Sequence, residues 1–144
     1  MNSSNKEVTV VVISYRSKKK VLNLIKKISN NFKIIIVENS YDKSIGNELS
    51  DLHKNIEIIF SENNGYGSAI NLARTYVTTK YFFVLNPDLQ KIDDKLISVF
   101  YESAKELNNN FGALGPRFEN VSEKSHKQSN INEKYGQIES ISGS

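Results

Sequence analysis

Asn86-Pro87-Asp88 closes the unbroken apolar run Tyr81-Phe82-Phe83-Val84-Leu85. A run of that kind reads as a strand buried on both faces, and Pro87, with no N–H to give to a ladder, ends it. Asp88 is thereby placed at the carboxyl edge of a sheet, where open α/β sheets bind their ligands. A carboxylate there can hold a divalent cation against a diphosphate, because such ions take hard oxygen ligands from carboxylates and phosphates together. Three more segments end apolar runs in the same way: Ser14-Tyr15-Arg16, Glu38-Asn39-Ser40, and Asn63-Asn64-Gly65-Tyr66-Gly67. The last opens a helix and offers backbone amides suited to a phosphate or sugar. It is not a dinucleotide fingerprint, since Ile70 stands where G-x-G-x-x-G needs its third small residue. No G-x-x-x-x-G-K-[ST] is present either.

The elements that must position these residues follow from periodicity. Residues 8–13 form a β-branched run with no alternation apart from Thr9, which predicts a central parallel strand. Val21, Leu22, Ile25 and Ile28 then share one face of a helix, with Lys18, Lys19, Lys20, Lys26 and Lys27 over much of the rest as a solvated face. Residues 34–37 predict strand two, Ile45, Leu49 and Leu52 a short helix, and residues 56–60 strand three. A helix from the glycine loop to about Thr78 leads into strand four at 81–85. Ile92, Leu96, Val99, Phe100, Ala104 and Leu107 mark one face of the longest helix, and residues 111–114 read as a short fifth strand closed by Gly115-Pro116. The alternation predicts an α/β fold: a mostly parallel sheet with helices on both faces.

Composition excludes several classes of function. The 144 residues fit one domain, and the net charge of +3 comes from 19 basic and 16 acidic residues interleaved along the chain, so no nucleic-acid-binding face is expected. No cysteine is present, which removes disulfides and thiolate metal sites. The two histidines, His53 and His126, lie far apart in polar surroundings and read as surface residues. Residues 1–7 lack an apolar core and no run approaches the roughly 18 apolar residues of a membrane span, so a cytoplasmic protein is expected.

In this order and spacing the four strand ends resemble the nucleotide-sugar-binding half of glycosyltransferase family 2, the GT-A fold, and especially its rhamnosyltransferase-like branch. The family's V-D-N-x-S stands here as Val37-Glu38-Asn39-Ser40. Its N-x-G-x-x-x-A-x-N stands as Asn63-Asn64-Gly65-Tyr66-Gly67-Ser68-Ala69-Ile70-Asn71, and its D-x-D, often N-P-D in this branch, as Asn86-Pro87-Asp88. Ala113-Leu114-Gly115-Pro116-Arg117 is similar to the G-P-R segment of the same branch. The resemblance implies inverting, metal-dependent transfer of a sugar from a UDP- or dTDP-sugar to a saccharide or lipid-linked acceptor, in cell-surface polysaccharide synthesis. It leaves open a nucleotide-sugar binder without turnover, and leaves room for peripheral membrane association.

By the same resemblance Ser14 and Tyr15 lie beside the base, and Glu38 accepts a hydrogen bond from base or ribose. Asn39, Asn63, Gly65, Gly67 and Asn71 complete the donor pocket, Asn86 replaces the first D-x-D aspartate, and Asp88 ligates Mg²⁺ or Mn²⁺. Two departures stand out: Glu38 is one methylene longer than the usual Asp, and Ile70 sits where many members have Arg. The expected organisation is a nucleotide-sugar-binding domain over 1–118, then a polar loop and the start of an acceptor-side region over 119–144. Residues 137–142 alternate like a half-buried strand entering that region, so the chain reads as cut there, with the acceptor base beyond Ser144. Asp93, Asp94 and Glu102 sit on a helix and are poor base candidates.

Overall fold

The computed structural model describes residues 4–108 and 110–116. A helical turn, α1 (Ser4–Glu7), leads into β1 (Val8–Ser14), and helices and strands then alternate: α2 (Lys18–Ile25), β2 (Lys33–Glu38), α3 (Ile45–Leu52), β3 (Ile56–Phe60), α4 (Tyr66–Arg74), β4 (Tyr81–Leu85) and α5 (Asp94–Glu106). The strands form one parallel sheet in the order β3-β2-β1-β4. The β-branched runs of β1 and β2 take the two central places, as their lack of alternation requires.

The chain winds outward from β1 through β2 to β3, then crosses back over both to place β4 on the far side of β1. Parallel crossovers keep one hand, so the reversal sends α4 to the opposite face from α2 and α3. Two cores result. Val8, Val10, Val12, Ile34 and Ile36 pack with α2, α3 and α5, whereas Val11, Ile13, Ile35 and Val37 pack with Ala69 and Ala73 of α4. Each fully buried aliphatic side chain contributes roughly 1.5–3 kcal/mol. The exposed pairs Lys18–Glu48 and Lys33–Glu57 are of a kind worth about 0.2–1 kcal/mol each, so packing decides the stability of this sheet.

Several expectations are corrected. Residues 111–114 form no strand: the stretch has Gly112 and Ala113 at its centre, both poor strand formers. Helix α2 stops at Ile25, and Ile28 reaches the core through tighter turns, Lys27 N–H to Leu24 O (3.0 Å) and Ile28 N–H to Ile25 O (3.1 Å). Helix α4 likewise ends at Arg74 and tightens through Thr75, Tyr76 and Val77. In α5 the buried stripe is Ile97, Tyr101 and Ala104, while Leu96 and Val99 are exposed. The sequence carries two overlapping stripes at helical spacing, and the Tyr101 hydroxyl donating to Glu7 Oε2 (2.8 Å) helps fix which one turns inward.

His53 is also not a surface residue. It is buried at the end of α3, with Nδ1 accepting from Asn55 N–H (3.2 Å) and Nε2 2.8 Å from Ser29 O, so the proton sits on Nε2 and the ring staples two loops. The chain divides into two compact units, 1–103 and 104–144. Every element from α1 to β4 belongs to the first, and no strand forms among the described residues of the second. Arg117, His126, the polar stretch 119–135 and the strand expected at 137–142 lie outside the described residues.

Candidate functional site

Because β4 pairs with β1 only up to Leu85 opposite Val12, Asn86-Pro87-Asp88 leaves the sheet while β1 still runs on to Ser14. On the other side of β1, Ser14 lies opposite Glu38 of β2. Helix α2, which follows β1, and helix α4, which leads into β4, lie on opposite faces of the sheet.

The edge is tied together by Glu38, whose side chain is 1% exposed. Its Oε2 accepts from the Ser14 hydroxyl; its Oε1 accepts from Ser40 N–H (2.8 Å) and from the Ser40 hydroxyl. Ser14 Oγ also lies 3.1 Å from Ser17 Oγ, and Ser40 Oγ accepts from Arg16 N–H (3.2 Å). One carboxylate therefore braces the turn after β1 and the turn after β2. Each turn holds a residue of positive φ, Arg16 (49°) and Tyr41 (59°). Next to Arg16, Tyr15 stands 48% exposed, with the Arg16 guanidinium 5.2 Å from its ring centre.

Asn39 continues the ladder, donating its N–H to Ser14 O (2.8 Å), while Ser61 N–H bonds Glu38 O (3.0 Å). Its side chain is 5% exposed, and Oδ1 has no hydrogen-bond partner, alone among buried side-chain polar atoms of the described residues.

Past β3, Asn63 Oδ1 accepts from Gly65 N–H (3.3 Å), and Gly65 takes φ 93°, ψ 163°, open to glycine and strained for other residues. The first helical bond of α4 is Ala69 N–H to Gly65 O (3.1 Å), so the amides of residues 66–68 precede the ladder and face the positive end of the helix dipole. Gly67 and Asn71 are exposed on α4, about one turn apart. The Tyr66 hydroxyl donates to Asn86 Oδ1 (2.7 Å), joining the start of α4 to the end of β4. Burial pushes the Tyr66 phenol above its ordinary pKa of 10.0, and the negative charge of Asp88 pushes it the same way. Asp88 itself is exposed.

The structure thus gathers Ser14, Tyr15, Glu38 and Asn39 at the ends of β1 and β2, and Asn86 and Asp88 beside β4, with Asn63 and Gly65 at the mouth of α4. Sequence reasoning missed Tyr66, Ser40 and Ser17 as members of the network. Ser40 stood in a quoted motif, but nothing local tells that Tyr66 reaches a residue twenty positions on. No group of three His, Asp or Glu residues forms a ready-made metal cage among the described residues. Asp93 caps α5 through Leu96 N–H (2.8 Å), and Asp94 accepts from Ser29 N–H (2.9 Å), so both carboxylates are already committed.

The sequence model of glycosyl transferase family 2 matches residues 9–141. The chain belongs to that family. Among solved structures, S. aureus TarS 1-349 superposes with a TM-score of 0.56 at 18% identity, over 79% of this chain and 40% of that one. A second crystal structure of S. aureus TarS gives 0.55 at 15% identity, over 77% and 23%. At such identities the likeness is one of fold, GT-A-like α/β, and the family 2 chain spans less than half of either solved chain. Comparison with curated protein sequences finds no match.

Proposed function

We propose that this chain supplies the donor-binding part of an inverting, metal-dependent glycosyltransferase, which moves a sugar from a UDP- or dTDP-sugar to the hydroxyl of a saccharide or lipid-linked acceptor. Cell-surface polysaccharide synthesis in the cytoplasm is the setting that fits the resemblance to the rhamnosyltransferase-like branch. The observation that carries the reading is that, in a family 2 chain, Asp88, Asn86 and Tyr66 lie at the same carboxyl edge of the sheet as the braced ends of β1 and β2.

The residues present fit a hard divalent cation. Mg²⁺ is usually held by one or two carboxylates, substrate phosphates and water, and Asp88 is an exposed carboxylate beside the oxygen-bearing Asn86 and Tyr66. When bound, Mg²⁺ or Mn²⁺ offsets the negative charge that grows on a departing nucleoside diphosphate. The chain's own residues do the positioning: Tyr66 fixes Asn86 beside Asp88, the opening amides of α4 favour an anion, and Tyr15 presents an exposed ring beside the base. No acceptor base is assigned within these residues.

Calorimetric titration with UDP and dTDP, with and without Mg²⁺, tests this. Binding is expected with the ion and should be lost, or become indifferent to the ion, in Asp88→Ala. Equal affinity with and without metal, in wild type and variant alike, would remove Asp88 from the site.

A further inference from the structure

We propose that Tyr66 is a positioning residue for the Asn86-Pro87-Asp88 turn: by holding Asn86, its hydroxyl keeps Asp88 near the opening turn of α4, where one diphosphate can engage both; this rests on the donor-binding reading above. The turn needs such a tie. Pairing of β4 with β1 ends at Leu85, so the ladder does not place residues 86–88. Leu89 N–H bonds Asn86 O (3.2 Å), a bond within the turn that shapes it without anchoring it to another element. The Tyr66 hydroxyl, donating to Asn86 Oδ1 (2.7 Å), supplies that anchor from α4.

The hold on Asn86 reaches Asp88 through Pro87. The pyrrolidine ring locks its own φ near about −65° and confines the preceding residue to extended conformations, so fixing the Asn86 side chain leaves Asp88 little freedom of direction. Tyr66 is itself held. Its ring packs on the core that Ala69 and Ala73 of α4 share with the sheet, and Gly65, at φ 93°, turns the chain into α4 directly before it. A phenylalanine ring would fill the same place, so packing accounts for the ring and Asn86 for the hydroxyl. Tyr66 is also the first residue of α4, and its N–H is among the amides that precede the helical ladder. One residue thus gives its backbone to the anion-favouring mouth of α4 and its side chain to the turn that carries Asp88. Burial and, after it, the charge of Asp88 raise the pKa of this phenol, in keeping with a carboxylate held close by.

The test is calorimetry of the whole chain with Mg²⁺ against UDP, dTDP and, as a base-free probe, pyrophosphate. Tyr66→Phe, which keeps the ring on the core, is expected to weaken all three by a common factor of about threefold to tenfold, as for one lost net hydrogen bond. Asn86→Leu removes the acceptor, so adding Tyr66→Phe to it should change affinity by less than about twofold. Asn86→Asp keeps an acceptor, and in that background the effect of Tyr66→Phe should return. A hydroxyl with a merely structural role would show the same loss in all three backgrounds, and that result overturns the inference. Wild-type affinity for UDP in Tyr66→Phe, while Asp88→Ala abolishes metal-dependent binding, also overturns it and leaves the donor-binding reading intact. So does a loss for UDP with pyrophosphate unchanged. Failure of both nucleoside diphosphates to bind the wild type with Mg²⁺ overturns both readings.

Discussion

Truncating Glu38 to alanine should loosen the whole carboxyl edge, because one buried carboxylate braces two turns. The side chain is 1% exposed and receives three hydrogen bonds, from the Ser14 hydroxyl and from the Ser40 amide and hydroxyl. A hydrogen bond to a charged group is worth about 1.5–3 kcal/mol net, and an orphaned buried donor costs about 1–3 kcal/mol. The three terms do not add in full. Ser14 Oγ already lies 3.1 Å from Ser17 Oγ and can turn to it, and the Ser40 hydroxyl is half-buried, which leaves the Ser40 N–H as the donor with least freedom. The expected loss is about 2–4 kcal/mol. A domain of this size has a total stability on the order of 5–15 kcal/mol, so the variant stays folded. At about 2–4 °C per kcal/mol, the midpoint should fall by roughly 4–16 °C. Thermal and urea unfolding followed by circular dichroism measure it, with Glu38→Gln expected to recover most of the difference. A midpoint within about 1 °C of wild type for Glu38→Ala would refute the brace.

Asp88→Asn should lower the pKa of the Tyr66 phenol, since it removes the charge that adds to the effect of burial; ultraviolet titration reads the shift, and an unchanged or higher value would separate the two residues. The sign for stability follows: the raised pKa means the folded state holds the phenol proton more tightly, so this contribution is complete below the ordinary value of 10.0 and is lost as pH rises through the raised one. Gly65→Ala should destabilise by about 1–3 kcal/mol through its φ of 93° alone, because a Cβ there meets nothing within 4 Å, whereas Gly67→Ala, helical and equally open, should stabilise by about 0.5–1 kcal/mol; matching urea midpoints for the two would contradict the backbone argument. His53→Ala should cost about 1–3 kcal/mol by stranding Asn55 N–H and Ser29 O, and a neutral result in the same assay would return His53 to the surface.

The sequence alone determined the α/β class, the four strands and the strand-end residues, because these are local facts. Unalternating β-branched runs such as residues 34–37 can be satisfied only by burial on both faces, and Pro87 can only end a ladder. The same motifs carried the resemblance to family 2, which the match over residues 9–141 bears out. Where periodicity was ambiguous it misled: α5 carries two helical stripes, and residues 111–114 look apolar yet form no strand.

Tertiary structure decided the strand order β3-β2-β1-β4, and with it the crossing back that puts α4 and Tyr66 on the face opposite α2 and α3 and brings Tyr66 to Asn86. It also decided what the polar residues at the edge do. Glu38, Asn39 and His53 look equally available in the sequence, but Glu38 is spent on two serines, His53 on two loops, and Asn39 Oδ1 on nothing. The physical reason is that the burial of an unbroken apolar run can be read from its own neighbours in the chain, whereas the burial and hydrogen-bond partner of a polar residue are facts about segments that meet only after the sheet has closed.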